Sequence, residues 1–312
     1  MSPVFQERPW GGRLMQELLG KNIPAGLIGE SWEISAHPNG LSTVTAGKLA
    51  GKNLPELIEI FGAQLLGREV CAHYGGVFPL LVKLIDVNAL ASVQVHPNDD
   101  DALRLEHFPF GKTEAWYIIT ARDTAEFYLG FQKGVAEKDF LGAIRNGTVK
   151  NILNRVDVKS DSCVFVPPGM VHACGNGVFL LEIQQSCDIT YRVYDWDRID
   201  AQGKKRELHI EKTGQVIDFS AQPNIYQAEK KENTLNKLVA SEKFSVFETR
   251  IKGDFVFPAG QTFFTATVIE GTGKLYWSGH ETGLKTGESF LVPPGINAGI
   301  HADNCTAIIA TL

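Results

Sequence analysis

Apolar and β-branched residues fall mostly in short runs closed by Gly, Pro, Asn or Asp, a pattern that predicts strands more often than long amphipathic helices. Val77-Phe-Pro-Leu-Leu-Val-Lys-Leu-Ile-Asp-Val87 predicts a central strand that turns at Asn88-Ala89 into a second strand over Ala91–Val95. Further strands are expected at Ala115–Thr120, Glu126–Leu129, Val164–Val166, Val178–Gln184 and Ile189–Tyr194, and throughout 237–312. Residues 1–50, with Pro9-Trp-Gly-Gly12 and Gly29-Glu-Ser-Trp-Glu-Ile-Ser35, suggest short strands and turns rather than helix. Helical spacing appears in three places: Leu54–Phe61 with Pro55 near its start, Gly134–Gly147 with Phe140, Leu141 and Ile144 on one face, and Leu208–Phe219. Asp99–Glu106 offers one helical turn. Pro223–Asn236 is charged and poor in apolar residues, which marks a linker between a unit over 1–222 and a unit over 237–312.

An internal echo sharpens this division. Ser162-Cys-Val-Phe-Val-Pro-Pro-Gly169 recurs as Glu288-Ser-Phe-Leu-Val-Pro-Pro-Gly295, and His172 of the first copy has Ala298 at the matching step of the second. Two β units of common ancestry, one with candidate ligands and one without, are expected, in sandwich or barrel architecture.

Composition narrows the partners. A formal charge of −6 argues against nucleic acid or an anionic membrane surface as the main partner, and an anionic small substrate would need a local basic pocket. The most apolar stretch, Gly75–Val95, is broken by Pro79, Lys83, Asp86 and Asn88 and falls short of a membrane span. Five cysteines without a CxxC pair suit reduced thiols, and the residues after Met1 lack a basic or apolar leader, so a cytoplasmic location is expected. Cys174 and Cys187 lie near the ligand region and are read as packing residues.

The candidate chemistry lies between Gln94 and Asn176. Gln94 and His96 stand two apart on a strand and so share a face, Glu114 heads a strand 18 residues later, and His172 follows the Pro167-Pro-Gly169 turn. Two imidazoles, a carboxylate and an amide suit a divalent ion, zinc first, then iron, manganese or cobalt. Any one of these residues alone is more often structural, and spacing alone does not show that they converge.

Pro167-x-Gly169-x2-His172-x3-Asn176 matches the second cupin motif, and Gln94-x-His96 followed by Glu114 resembles a variant of the first, with Gln in place of a His and a longer gap to the Glu. That variant, Gln94-Val-His-Pro-Asn-Asp followed by Lys112-Thr-Glu-Ala-Trp-Tyr117 and Pro167-Pro-Gly-Met-Val-His-Ala173, resembles the type I mannose-6-phosphate isomerases in their short bacterial form. Pro9–Gly12, Gly29–Glu33, Tyr191-Arg-Val-Tyr-Asp-Trp-Asp-Arg198 and Leu208–Lys212 extend the likeness. The resemblance implies a mainly β, cupin-type pair of jelly-roll barrels, one metal-binding and one degenerate, with a small helical insertion. It also implies interconversion of mannose 6-phosphate and fructose 6-phosphate through an enediolate, with one zinc ion per chain held by Gln94, His96, Glu114 and His172. By the same likeness Arg192 is an active-site arginine, and Lys112 serves substrate binding or proton handling. Arg198 and Lys204-Lys-Arg206 are candidates for the phosphate, and Trp10, Trp32 and Trp116 for stacking on the sugar. Two rivals remain open: an iron-dependent cupin dioxygenase using two His and one Glu, and a sugar-binding cupin without catalysis.

Overall fold

The computed structural model describes residues 1–200 and 202–312. In chain order the N-terminal part runs β1 (Val4–Gly12), α1 (Leu14–Leu19), β2 (Ile28–Ile34) and a tight hairpin of β3 (Ala36–His37) and β4 (Gly40–Leu41). Three helices follow, α2 (Leu54–Phe61), α3 (Ala63–Leu66) and α4 (Arg68–Tyr74), then β5 (Leu80–Val87), β6 (Val93–Val95) and α5 (Asp99–Glu106). Next come β7 (Glu114–Ala121), β8 (Glu126–Phe131), α6 (Glu137–Asn146), β9 (Leu153–Val156), β10 (Ser162–Val166), β11 (His172–Gly175) and β12 (Val178–Gln185). The part ends with β13 (Tyr191–Tyr194), α7 (Ile210–Val216) and β14 (Asn224–Gln227). The C-terminal part contains β15 (Asn236–Ala240), β16 (Ser245–Val256), β17 (Phe264–Trp277), β18 (His280–Lys285), β19 (Ser289–Val292) and β20 (Ala298–Thr311).

Two antiparallel sheets face each other in the N-terminal part, ordered β1-β2-β5-β12-β7-β10-β14 and β13-β6-β11-β8-β9. The central strands of the larger sheet are buried on both faces, which is why β5 and β12 read as nearly unbroken apolar runs. Leu80, Val82 and Leu84 point outward with Phe179, Leu181, Ile183, Ala115 and Tyr117, and pack against α2–α4 and the C-terminal residues Val246, Phe263 and Ile308. The alternate positions, Ile85, Val87, Trp116, Ile118, Val178 and Leu180, point inward and meet the smaller sheet.

This is the mainly β cupin jelly roll that the motifs implied, its two sheets being open ladders whose edge strands β1 and β13 do not pair. The wall of the internal cavity reaches both edges, through Arg8 on one and Arg192 on the other, so a hydrogen-bonded seam there would seal it. In the C-terminal part β16, β17 and β20 are long, and register shifts near Gly253, Glu270 and Lys274 bend them over a core around Ile251, Val268 and Ile300.

The two echoed segments occupy equivalent places. Each ends a short strand, turns through a glycine with positive φ (Gly169 at 82°, Gly295 at 73°) and starts the next strand, at His172 in one copy and Ala298 in the other. The segment 223–236 carries β14, which pairs with β10.

Residues 1–50, expected to be strands and turns, also contain a helix. In α1, Met15 and Leu19 bury one face at i, i+4 spacing and Gly20 closes the helix in the left-handed conformation. Asp86 sits beneath it, fully buried, and accepts from the Leu14 backbone N–H at 2.6 Å. Burial raises its carboxyl to about 6, only partly countered by that bond. A folded-state pKa above the unfolded value means that Asp86 favours folding when protonated, and stability is lost as pH rises from about 4 through about 6. Asp86→Asn should therefore raise stability at pH 7.5 by roughly 2 kcal/mol and leave it little changed at pH 4, as read by denaturant unfolding at both pH values.

Candidate metal centre and active site

Both sheets supply side chains to one point between them. In the smaller sheet β6 lies between β11 and β13, with Gln94 opposite His172 on one side and opposite Arg192 on the other. The alternation on β6 sends Val93 and Val95 into the apolar layer behind, and leaves Gln94 and the following His96 facing inward. Glu114 comes from the larger sheet, at the head of β7, opposite Val166 and Gln184. The facing sheets thus close the sequence gaps between these residues.

Ligand-capable atoms of His96, Glu114 and His172 lie within 4.8 Å of one another, and all three side chains are buried. His172 Nε2 is 3.3 Å from one Glu114 oxygen and His96 Nε2 is 3.6 Å from the other. Each imidazole places its Nδ1 2.9 Å from a main-chain carbonyl, His96 against Ile189 and His172 against Met170. A carbonyl only accepts, so each Nδ1 carries the hydrogen and each Nε2 presents a bare lone pair to the carboxylate. Burial pushes His172 down to about 4, with Lys112 adding to the shift against the bond to Met170. Burial likewise lowers His96, with Lys112 and His172 contributing. Both rings are therefore neutral and in the tautomer that a metal ligand requires.

The fit to a cation follows from the remaining atoms. The Glu114 oxygen nearest His172 is buried and receives no hydrogen bond from any described residue. Lone pairs facing one another in a buried space repel unless positive charge lies among them. Tetrahedral ligands about 2.1 Å from zinc stand roughly 3.4 Å apart, close to the spacing found here. The Gln94 amide is 3.3 Å from His172 Nε2, so a fourth donor is at hand, its oxygen and nitrogen being interchangeable by rotation of the amide.

Lys112 is the cation that meets this cluster from within the chain. Its ammonium lies 3.2 Å from His96 Nε2, bonds the Glu114 carboxylate and is 3.7 Å from Glu182. Burial alone would lower its pKa, but Glu114 and Glu182 outweigh burial and hold it above the ordinary lysine range.

Beyond Lys112 the inward positions of successive strands carry charges of alternating sign. Glu182 on β12 is 3.5 Å from Lys83 on β5, Lys83 is 3.8 Å from Glu30 on β2, and Glu30 bonds Arg8 on β1 at 2.7 Å. Trp116 donates to Glu182 at 3.1 Å and Trp32 to Glu30 at 2.7 Å, while the Lys83 ammonium sits 4.8 Å from the Trp32 ring centre. For Glu30, burial is overcome by Lys83, Arg8 and Trp32, which hold its carboxyl at about 2. The ladder forms the floor of a cavity of about 450 Å³ whose wall includes His172, Gln94, Lys112 and Arg192.

Arg192 lines this cavity, donates to the Glu207 carbonyl at 2.9 Å, and keeps its Nε buried without a partner among the described residues. Asp195, three residues on, is bonded by Arg198 and Arg206. Of the phosphate candidates, Arg198 is occupied by Asp195 and the Leu90 carbonyl, Lys205 pairs with Asp197 on the surface, and Lys204 is exposed. Arg206 lines the cavity. Trp10 and Trp116 line it as well, whereas Trp32 is fully buried and contributes packing. Cys174 lies in the wall and Cys187 is buried nearby, and all five cysteines are free.

Residues 1–117 match the profile of the phosphomannose isomerase type I catalytic domain, and residues 234–307 match the mannose-6-phosphate isomerase cupin domain. A Bacillus subtilis protein named "Probable mannose-6-phosphate isomerase GmuF" is 41% identical over 300 residues, covering 94% of this chain and 92% of the relative. The chain belongs to the type I phosphomannose isomerase family. A mannose-6-phosphate isomerase from Streptococcus mutans is 37% identical over 303 residues, covering 94% of this chain and 92% of the relative. The crystal structure of the mannose 6-phosphate isomerase from Bacillus subtilis superposes with a TM-score of 0.89 at 36% identity, covering 99% of this chain and 98% of that one.

Family membership agrees with the motifs at Gln94–Asp99, Lys112–Tyr117 and Pro167–Ala173, which the fold of this phosphomannose isomerase relative gathers at one cavity. Arg8, Glu30, Lys83 and Glu182 were not singled out as site residues from the sequence. Lys83 and Glu182 are each a lone charge in an apolar run, a signal that could have marked them, since an unpaired buried charge is costly, whereas Arg8 beside Glu7 and Glu30 near Glu33 carry no such mark.

Proposed function

We propose that this chain is a zinc-dependent aldose–ketose isomerase that interconverts mannose 6-phosphate and fructose 6-phosphate through an enediolate. The observation that carries the metal is the buried Glu114 carboxylate facing two Nε2 lone pairs. His96, Glu114 and His172 would hold one zinc ion, with Gln94 as the fourth protein ligand. When bound, such an ion polarises sugar oxygens and stabilises the anionic charge that develops on them.

The chain's own groups supply the rest. Isomerisation removes a proton from C2 and returns one to C1, so a group able to accept that proton and give it back must lie within hydrogen-bond reach of the reacting end. Lys112 holds a proton at Nζ beside the ligand cluster, where it orients the sugar oxygens and serves proton handling. Arg192, across β6 from His172, places a fixed positive charge where the enediolate forms. Trp10, Trp116 and Leu180 supply apolar wall on that side of the cavity. Residues 1–222 act as the catalytic unit, 223–236 as the connection, and 237–312 as a repeat whose counterpart of His172 is Ala298.

Metal analysis of the purified protein, with a coupled assay on mannose 6-phosphate before and after chelation, tests this reading. About one zinc per chain is expected, with turnover lost on chelation and restored by zinc. Full turnover by metal-free protein would overturn the metal's role. Bound metal without isomerisation would overturn the reaction itself and favour an oxygenase or a sugar-binding module.

A further inference from the structure

The cavity differs sharply between its two ends. At the inner end lie the ligand cluster and Lys112. At the open seam between the two sheets, Arg8 from edge strand β1 and Arg206 from the loop after edge strand β13 both line the wall. Arg8 bonds Glu30 at 2.7 Å through Nε and the Glu7 carbonyl at 3.1 Å through Nη1, which leaves its second terminal nitrogen without a protein acceptor among the described residues. Arg206 reaches one carboxylate, Asp195, at 3.3 Å, and Arg198 already bonds the same oxygen. The buried Nε of Arg192 has no partner among the described residues.

The two carboxylates bonded to these guanidiniums are each shared with a second cation, Glu30 between Arg8 and Lys83 and Asp195 between Arg198 and Arg206, while Glu7 also stands in the wall beside Arg8. Asp188, also in the wall, accepts from Asn39. Burial lowers the Arg206 pKa, and the Arg198 and Arg8 charges lower it further. For Arg192, burial comes first and Arg206 next. Guanidinium groups held near one another, each with a donor unused, form a site for an anion whose oxygens can take several N–H bonds at once.

We infer that Arg8 and Arg206 form the subsite that receives the phosphate group of the substrate, while its carbonyl end lies against His172, Gln94 and Lys112. The inference rests on the isomerase reading and deepens it. It draws on an edge strand at the start of the chain and a loop after β13, joined only where the barrel stays open. A phosphate at this seam keeps one side in water, which suits a dianion better than full burial.

The test uses the zinc-loaded enzyme with Arg8→Gln and Arg206→Gln, alongside Arg8→Lys and Arg206→Lys. Each Gln variant should raise KM for mannose 6-phosphate about 10-fold or more, the loss expected for a charge-assisted hydrogen bond, with a much smaller change in kcat. Inhibition by inorganic phosphate should weaken in step, and the Lys variants should recover part of both. A merely structural role would instead lower kcat and thermal stability together and leave the phosphate inhibition constant unmoved. Unchanged KM and unchanged phosphate inhibition, in a wild-type enzyme that turns over, would overturn the subsite alone. Should the wild type fail to isomerise, the reaction reading falls. Thermal stabilisation by phosphate over chloride at equal ionic strength then decides the anion site: its loss in the Gln variants supports the site, and its absence or persistence overturns it.

Discussion

His172→Ala is expected to lower isomerase turnover by at least ~100-fold and to release most of the bound metal, because loss of a direct ligand should cost no less than loss of a residue that only orients one. The imidazole is wholly buried, edge-on to Trp116 at 5.3 Å between ring centres, with Nδ1 anchored on the Met170 carbonyl. Its removal leaves a small cavity and an unpaired carbonyl, a stability cost of about 1–3 kcal/mol. The two apolar layers around the site do not depend on it, so the fold should persist. Metal content, turnover and thermal unfolding measured on one preparation check this. A metal-free variant with wild-type turnover would sink the proposed ligand set.

Arg192→Ala should leave the metal in place and depress kcat by about 10²–10³-fold, the scale seen when a preorganised donor to a developing oxyanion is lost. Arg192 sits beside the ligand cluster without belonging to it: its backbone pairs opposite Gln94, and its Nη1 bonds the Glu207 carbonyl. That carbonyl bond is the competing explanation, because a tether for the loop before His209 could be its whole purpose. Unfolding temperature and turnover per folded molecule separate the two. Stable protein with bound zinc and low kcat marks an electrostatic role, whereas unstable protein with normal turnover marks a tether. Arg192→Lys keeps the charge but not the planar fork, and should fall between wild type and alanine.

Particular elements show how far the sequence reaches. The strand over Leu80–Val87 and the helix over Leu54–Phe61 were legible because their patterns are local: an apolar run in one case, and Pro55 near the start with Leu57, Ile58 and Phe61 at helical spacing in the other. The segment at Asp99–Glu106, read as one turn, is a longer helix, capped by Asn98 and closed by His107 in the left-handed conformation. Helices α3 and α4 were missed, since their buried residues Leu65, Leu66 and Val70 are too few to show a period and gain their order by covering the outer face of the large sheet.

The site divides along the same line. The amino-acid sequence alone identified the ligand types, the faces they share on β6, and the glycine turn that delivers His172, because alternation along a strand and positive φ at glycine are properties of a few consecutive residues. It also supplied the motifs that place the chain in its family. Only the tertiary structure decided that Glu114 meets both imidazoles from the opposite sheet, and that Lys83, Glu182 and Glu30 line up as a charge ladder. It alone separated Arg206 from Lys204 and Lys205 and brought it to the same cavity as Arg8. The reason is physical: these contacts run across strands and between sheets, where the partner is set by register and packing rather than by any neighbour along the chain.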